Sequence, residues 1–242
     1  MKKIFALILA FALCVSLCAC GSTGESGGGS NGGSDDKASG DGWRVDAEGV
    51  LIISEMDDGK IPGYTYSDPA PWYVYRMMIK SIRVEEGITH IGVQAFNSCE
   101  KAESVSLPST LLQIADRAFQ FCWSLKSVTL PESVVHVGLA VFNGCTALES
   151  VVWSGSVSVL PENTFDGCTS LVNVELPEGL AHIGRNAFVD CTALTTLTLP
   201  DSLQTFENDS FSGCTDLVLR FNPGTDAEAM AIEHGAAYEL LN

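Results

Sequence analysis

The sequence predicts an α+β solenoid of about six 23-residue coils, with a β-rich N-terminal cap and a short helical C-terminal cap. Three ladders predict it. Cys99, Cys122, Cys145, Cys168, Cys191 and Cys214 each follow the last by 23 residues. Phe96, Phe119, Phe142, Phe165, Phe188 and Phe211 run three residues ahead of them. Ala102, Leu125, Leu148, Leu171, Leu194 and Leu217 run three residues behind. A pattern held in register through six copies marks stacked repeats, because one coil alone cannot enclose its apolar side chains.

At the N-terminus, Lys2 and Lys3 precede an apolar run of 14 residues, Ile4 to Leu17. That length suits a signal-peptide core and is short for a membrane span. Leu17-Cys18-Ala19-Cys20 resembles the lipobox of bacterial lipoproteins. The resemblance implies a signal peptide over residues 1–19 and Cys20 as a lipidated mature N-terminus, the lipid being the only membrane contact. A secretory signal with incidental cysteines is the alternative. In the segment 20–41, 13 of the 21 residues after Cys20 are Gly or Ser. Such a tether has a root-mean-square reach of roughly 25 Å.

Residues 42–80 read as the β cap, a hairpin of Trp43 and Val45, a turn at Asp46 to Gly49, then Val50 to Ile53. Trp43, Tyr64, Tyr66, Trp72, Tyr73 and Tyr75 read as its core, with a sugar-stacking platform as the alternative. The array covers 81–220. Within a coil, Val105 and Leu107 alternate with Ser106 as on a half-buried strand, and Pro108 ends it. Ile114, Ala118, Phe119, Cys122 and Leu125 fall at helical spacing, which predicts a short helix or 3₁₀ turn for the return. The coil from Val151 to Asn163 is irregular: Trp153 replaces an inward Leu, Ser154 a Pro and Pro161 a Gly. Trp153 is expected in the core. In the cap 221–242, Thr225 and Glu228 read as a capping box, Ala227 to His234 as a helix and Gly235 as its stop.

The coils resemble the BspA-like class of leucine-rich repeat. Its phrase runs from Ile183-Gly184 through Ala187-Phe188, Cys191 and Leu194 to Leu199-Pro200, with Ala102, Ala115 and Glu207 as departures. The resemblance implies a leucine-rich repeat solenoid on a bacterial surface, like adhesins for host matrix proteins such as fibronectin and fibrinogen.

A net charge of −17 repels phosphates and argues against nucleic acid as a partner. The chain carries no nucleophile elbow, phosphate loop, zinc-protease or dinucleotide motif, so it reads as no enzyme and implies no cofactor. The array has no Cys-x-x-Cys pair, and His90, His136 and His182 recur every 46 residues, about 10 Å apart on stacked coils. That is too far for one zinc, so no metal is expected. The repeat cysteines sit in an inward phase and read as buried free thiols rather than disulfides.

The strand face is the candidate surface. Ser104, Ser127, Ser150 and Asn173 form one exposed ladder, and Ser106, Thr129, Val152 and Glu175 a second. These residues either leave room for a partner on a concave face or simply permit close stacking. The expected function is non-catalytic binding of an extracellular or host matrix protein, in adhesion or protein–protein interaction, through the concave strand face of a chain lipid-anchored at the outer face of the bacterial membrane. A glycan or cell-wall module and a self-associating surface protein are the alternatives.

Overall fold

The computed structural model describes residues 36–54, 56–207 and 209–241. The expected signal segment, Cys20 and the expected tether through residue 35 lie outside the described residues. Alternation builds the array strands: in Ser127–Leu130, Ser127 and Thr129 are exposed while Val128 and Leu130 are buried. This is the pattern of a sheet covered on one side. Strands stack parallel and in register, so Ser81, Ser104, Ser127, Ser150 and Asn173 are successive Cα partners.

Among the described residues the main sheet holds eight strands, in the order Ala38–Gly40, Trp43–Val45, Val50–Ile53, Ser81–Val84, Ser104–Ser106, Ser127–Leu130, Ser150–Trp153 and Asn173–Glu175. Thr196–Thr198, Val218–Phe221 and Tyr238–Leu240 form a separate sheet. Each coil also carries a two-residue strand. Lys60–Ile61, His90–Ile91, Gln113–Ile114 and His136–Val137 pair in one set, and Val159–Leu160, His182–Ile183 and Thr205–Phe206 in another. The break between the sets has a chemical cause. The residue after each short strand normally donates its N–H to the preceding coil, as Gly138 does to Ile114 and Gly184 to Leu160, both at 2.8 Å. Pro161 stands at that place in the irregular coil and has no N–H to give.

A spine of rings runs through the core. Trp72, Phe96, Phe119, Phe142, Phe165, Phe188 and Phe211 stack with centroids 5.2–5.8 Å apart. Trp72 is one residue out of phase with the phenylalanines, yet its indole Nε1–H donates to the Ala95 carbonyl at 2.8 Å and completes the spine. Trp43, Tyr64 and Tyr75 pack beside the array core, while Tyr66 is 72% exposed. Trp153 is buried as expected, edge-on to Phe165 at 6.2 Å, with no partner for its Nε1–H among the described residues.

The structure departs from these expectations in four details. The six 23-residue coils are preceded by a further, irregular turn, about seven in all, because Val50–Ile53 pairs parallel with Ser81–Val84 and Lys60–Ile61 with His90–Ile91. The N-terminal cap thus contains the first turn. The segment read as tether ends in a strand, Ala38–Gly40, antiparallel to Trp43–Val45. The returns are linked turns rather than helices: Cys99 N–H bonds the Phe96 carbonyl at 3.2 Å, but Gln94 and Ser98 have φ of 56° and 59°. Left-handed residues at these two positions, repeated at Arg117 and Phe121, stop a helix from propagating. Finally, the helix Asp226–His234 has no capping box; the Thr225 hydroxyl donates to Asn222, and Glu228 accepts from the Gly224 N–H. Gly235 does end it in the left-handed conformation, at φ 65°.

On the turn side, Asn97, Gln120, Asn143 and Asp166 hydrogen-bond in series at 3.2, 2.9 and 2.9 Å. Burial, with the Asp190 carboxylate adding, raises the Asp166 pKa. A raised carboxyl pKa means that the folded state holds the proton more tightly, so this site favours folding as pH falls. Asp166→Asn keeps an acceptor for Asn143 and removes the charge. It should melt above the parent at pH 7, with the gap closing as acid protonates Asp166. A gap independent of pH, measured by thermal melts from pH 7 to 4, would refute the charge effect.

Candidate functional site

The outward positions of the main strands are free of the demand to fill the core, and apart from Val152 those of the candidate face are polar. Ser104, Ser106, Ser127, Thr129, Asn173 and Glu175 are exposed, and Ser150 and Val152 are half-buried. All eight share one sheet face. The strand register brings Thr129, Val152 and Glu175 side by side, one per coil.

Four of the eight meet in one hollow. Ser150, Val152, Asn173 and Glu175 line a cavity of about 350 Å³ with Thr196 and Thr198. Ser104, Ser106, Ser127 and Thr129 lie along the same face but do not line it. A second hollow of about 360 Å³ adjoins it, sharing Val174, Glu175 and Thr198 and adding Glu178, Asp201 and Asn222. Together they mark the seam where Asn173–Glu175 ends the main sheet and Thr196–Thr198 begins the next without a ladder between them. Single-sequence alternation identifies the outward residues but cannot reveal a missing ladder, so the second hollow had no signal in the sequence.

The seam is acidic. Glu175, Glu178 and Asp201 supply carboxylates, and Asp201 accepts from the Asn222 amide at 2.9 Å. Arg220, opposite Thr198 in the strand register, is paired with Glu239 at 3.1 Å. Such a surface suits hydrogen bonding to a partner's main chain and attraction of its cations. No convergent nucleophile and base appear among its lining residues.

A third cavity of about 350 Å³ sits at the Pro161 break, lined in part by Asp116, Val135, His136, Leu139 and Val159. The predicted histidines lie on these short strands: His90 Nδ1 is 2.8 Å from the Thr89 hydroxyl and His182 Nδ1 is 2.6 Å from that of Thr205. Among the described residues, no three His, Cys, Asp or Glu side chains cluster to hold a metal. The six array cysteines are free thiols. Also among the described residues, no helix is long and apolar enough to cross a membrane.

Six copies of the BspA type leucine-rich repeat region match residues 73–160 and 141–219. Among solved structures, the chain is similar to a leucine-rich cell surface protein of Faecalibacterium prausnitzii, at 22% identity and a TM-score of 0.43. That match covers 64% of this chain and 62% of the other. A leucine-rich repeat protein of Bacteroides ovatus matches at 25% identity and a TM-score of 0.43, over 68% of this chain and 55% of that one. The leucine-rich repeat protein of T. pallidum matches at 23% identity and a TM-score of 0.41, over 70% and 95%. The chain therefore spans less than two thirds of the first two proteins. No curated protein matches it.

Proposed function

Since the chain belongs to the BspA type leucine-rich repeat family, we propose that it is a non-catalytic binding protein of the bacterial surface that grips an extracellular or host matrix protein. Proteins of this family are typically surface-exposed, and their solenoid is typically non-catalytic. The binding face is the exposed sheet, centred on Ser150, Val152, Asn173 and Glu175, with Ser104, Ser106, Ser127 and Thr129 extending it. Cys20 carries the lipid that holds the protein outside the membrane.

One observation carries this reading: an in-register face of small side chains that opens into a hollow of about 350 Å³. Side chains this short leave main-chain-sized space and lose little rotamer freedom when a partner covers them. Charged and bulky replacements should therefore block the face while leaving the core untouched, because positions 129 and 152 point outward.

The test is binding of the unit Ser34–Asn242 to immobilised fibronectin and fibrinogen at physiological salt, beside the double variant Val152→Asp with Thr129→Lys. The expected result is saturable binding that falls at least about tenfold in the variant, a loss of about 1.4 kcal/mol. Equal binding by both proteins would move the site off this face. Absence of binding by either would remove matrix proteins as the partner. The anchor is read on whole cells carrying the full chain, which should lose capture when Cys20→Ser releases the protein.

A further inference from the structure

The six thiols of the array are equivalent in sequence but not in structure. The thiols of Cys122, Cys145, Cys168 and Cys191 each donate to the carbonyl of the phenylalanine 26 residues earlier, at 3.2–3.3 Å, and all four are buried. Cys214 makes the same bond, to Phe188 at 3.0 Å, yet it is only half-buried.

The cause is the end of the array. Among the described residues the helix Asp226–His234, not a further coil, comes after Cys214, and the strand of its coil arrives early: Leu197 pairs with Leu219, a step of 22 residues instead of 23. The helix Asp226–His234 and the segment after it cover the last coil in place of another repeat. They leave a cavity of about 280 Å³ lined by Phe206, Phe211, Cys214, Leu219, His234 and Ala237 among others. Cys214 is the sulfur of that cavity, and it opens to solvent on one side with Cys191 behind it.

Cys191 and Cys214 are held one coil apart. The Asp190 N–H bonds the Ser212 carbonyl at 2.8 Å, tying the two backbones together just before the cysteines. Phe188 O accepts both the Cys191 N–H, at 3.2 Å, and the Cys214 thiol. Stacked chains lie about 4.8 Å apart, inside the roughly 4.4–6.8 Å Cα separation of a disulfide. Hydrogen bonding from Cys191 lowers the Cys214 pKa. The Cys214 sulfur and burial together raise that of Cys191, and burial takes Cys99 up to about 12. A thiolate is the reacting species, so these environments rank Cys214 first.

We propose that Cys214 is a modification site, the array thiol that reacts in the folded protein with small electrophiles and with peroxide, and that Cys191 resolves its oxidised form. The Cys214 thiolate attacks one oxygen of hydrogen peroxide; an S–O bond forms, the O–O bond breaks, and hydroxide leaves. The Cys191 sulfur then attacks the Cys214 sulfenic acid. The S–S bond forms, the S–O bond breaks, and water departs with the proton of Cys191. The pair gives two electrons to the peroxide, and two thiols with one peroxide yield one disulfide and two waters. Cys168 lies one coil away on the other side of Cys191 but is buried, so Cys214 is the neighbour that peroxide reaches. This inference stands apart from the binding proposed for the strand face.

The experiment is alkylation of the full chain in the folded state with iodoacetamide, then unfolding, labelling with a second reagent and mapping of peptides. Cys214 should take the first label, at least about tenfold faster than Cys99, Cys122, Cys145, Cys168 and Cys191, which should take the second. Hydrogen peroxide should yield a linked Cys191–Cys214 peptide lighter by two hydrogens, absent in Cys214→Ser. In Cys191→Ser, Cys214 should still alkylate but accumulate sulfenic and sulfinic acid. Folded-state protection of Cys214 equal to that of Cys145, or peroxide linkage of another pair, would overturn the proposal. The alkylation of wild type decides this even if a variant folds poorly.

Discussion

Phe142→Ala should destabilise the folded chain by about 3–5 kcal/mol, the range for deleting a fully enclosed aromatic ring. The ring is 0% exposed and lies between Phe119 at 5.6 Å and Phe165 at 5.8 Å, both nearly parallel to it. Each coil of a solenoid is supported only by its neighbours, so a void at its centre weakens two interfaces together. The backbone around it cannot collapse inward, because Phe142 N–H is bonded to Thr164 and Phe119 N–H to Val141, both at 3.0 Å. Phe211→Ala makes the control. Phe211 ends the spine, is half-buried and borders the open cavity, so its loss should cost markedly less. Urea unfolding of the two variants measures the difference. A Phe142→Ala midpoint equal to that of the parent, or equal costs at both sites, would contradict a spine whose rings support one another.

The parts of this architecture legible in the sequence are those that repeat. The Phe, Cys and Leu ladders occupy the same inward place in every coil, so each copy reinforces the signal of the others, and the outward Ser and Thr ladders follow by alternation. What stayed hidden depends on breaks in that regularity. Trp72 joins the ring spine one residue out of phase, and Val50–Ile53 stacks on Ser81–Val84 across a step of 31 residues rather than 23. The returns show apolar residues at helical spacing, yet the left-handed Gln94 and Ser98 make them turns. Neither residue type announces that conformation, since stacked neighbours impose it rather than local propensity. The candidate face was legible as a row of residues, whereas its hollow arises from an absent ladder between Asn173–Glu175 and Thr196–Thr198. Cys214 carries the same signature as the five buried cysteines, and only the one-residue early arrival of Leu219 sets it apart.

Gly92→Ala should destabilise by about 3 kcal/mol, the upper part of the range for overpacking, while Gly184→Ala should cost less, toward the lower end of that range at about 1 kcal/mol. The two glycines occupy the same place in their coils, and Ala115 and Glu207 stand there in others, so the repeat itself admits a side chain. The difference lies in what precedes each coil. A Cβ on Gly92 would overlap the Pro62 carbonyl and lie 2.5 Å from the Gly63 nitrogen, whereas at Gly184 the nearest atom, Glu162 N, is 2.9 Å away. Pro62 and Gly63 are held flat on Gly92, because Lys60–Ile61 pairs with His90–Ile91 on one side and the Tyr64 N–H bonds Val93 at 2.8 Å on the other. Two fixed backbones cannot part without breaking those bonds, whereas at Gly184 the overlap with backbone is shallower, its three nearest atoms lying at 2.9–3.1 Å. Denaturant midpoints of the two variants therefore report whether the irregular first turn is seated on the array. Equal costs would mean that residues 60–64 are free to move aside, and that the solenoid begins at Ser81 rather than at Val50.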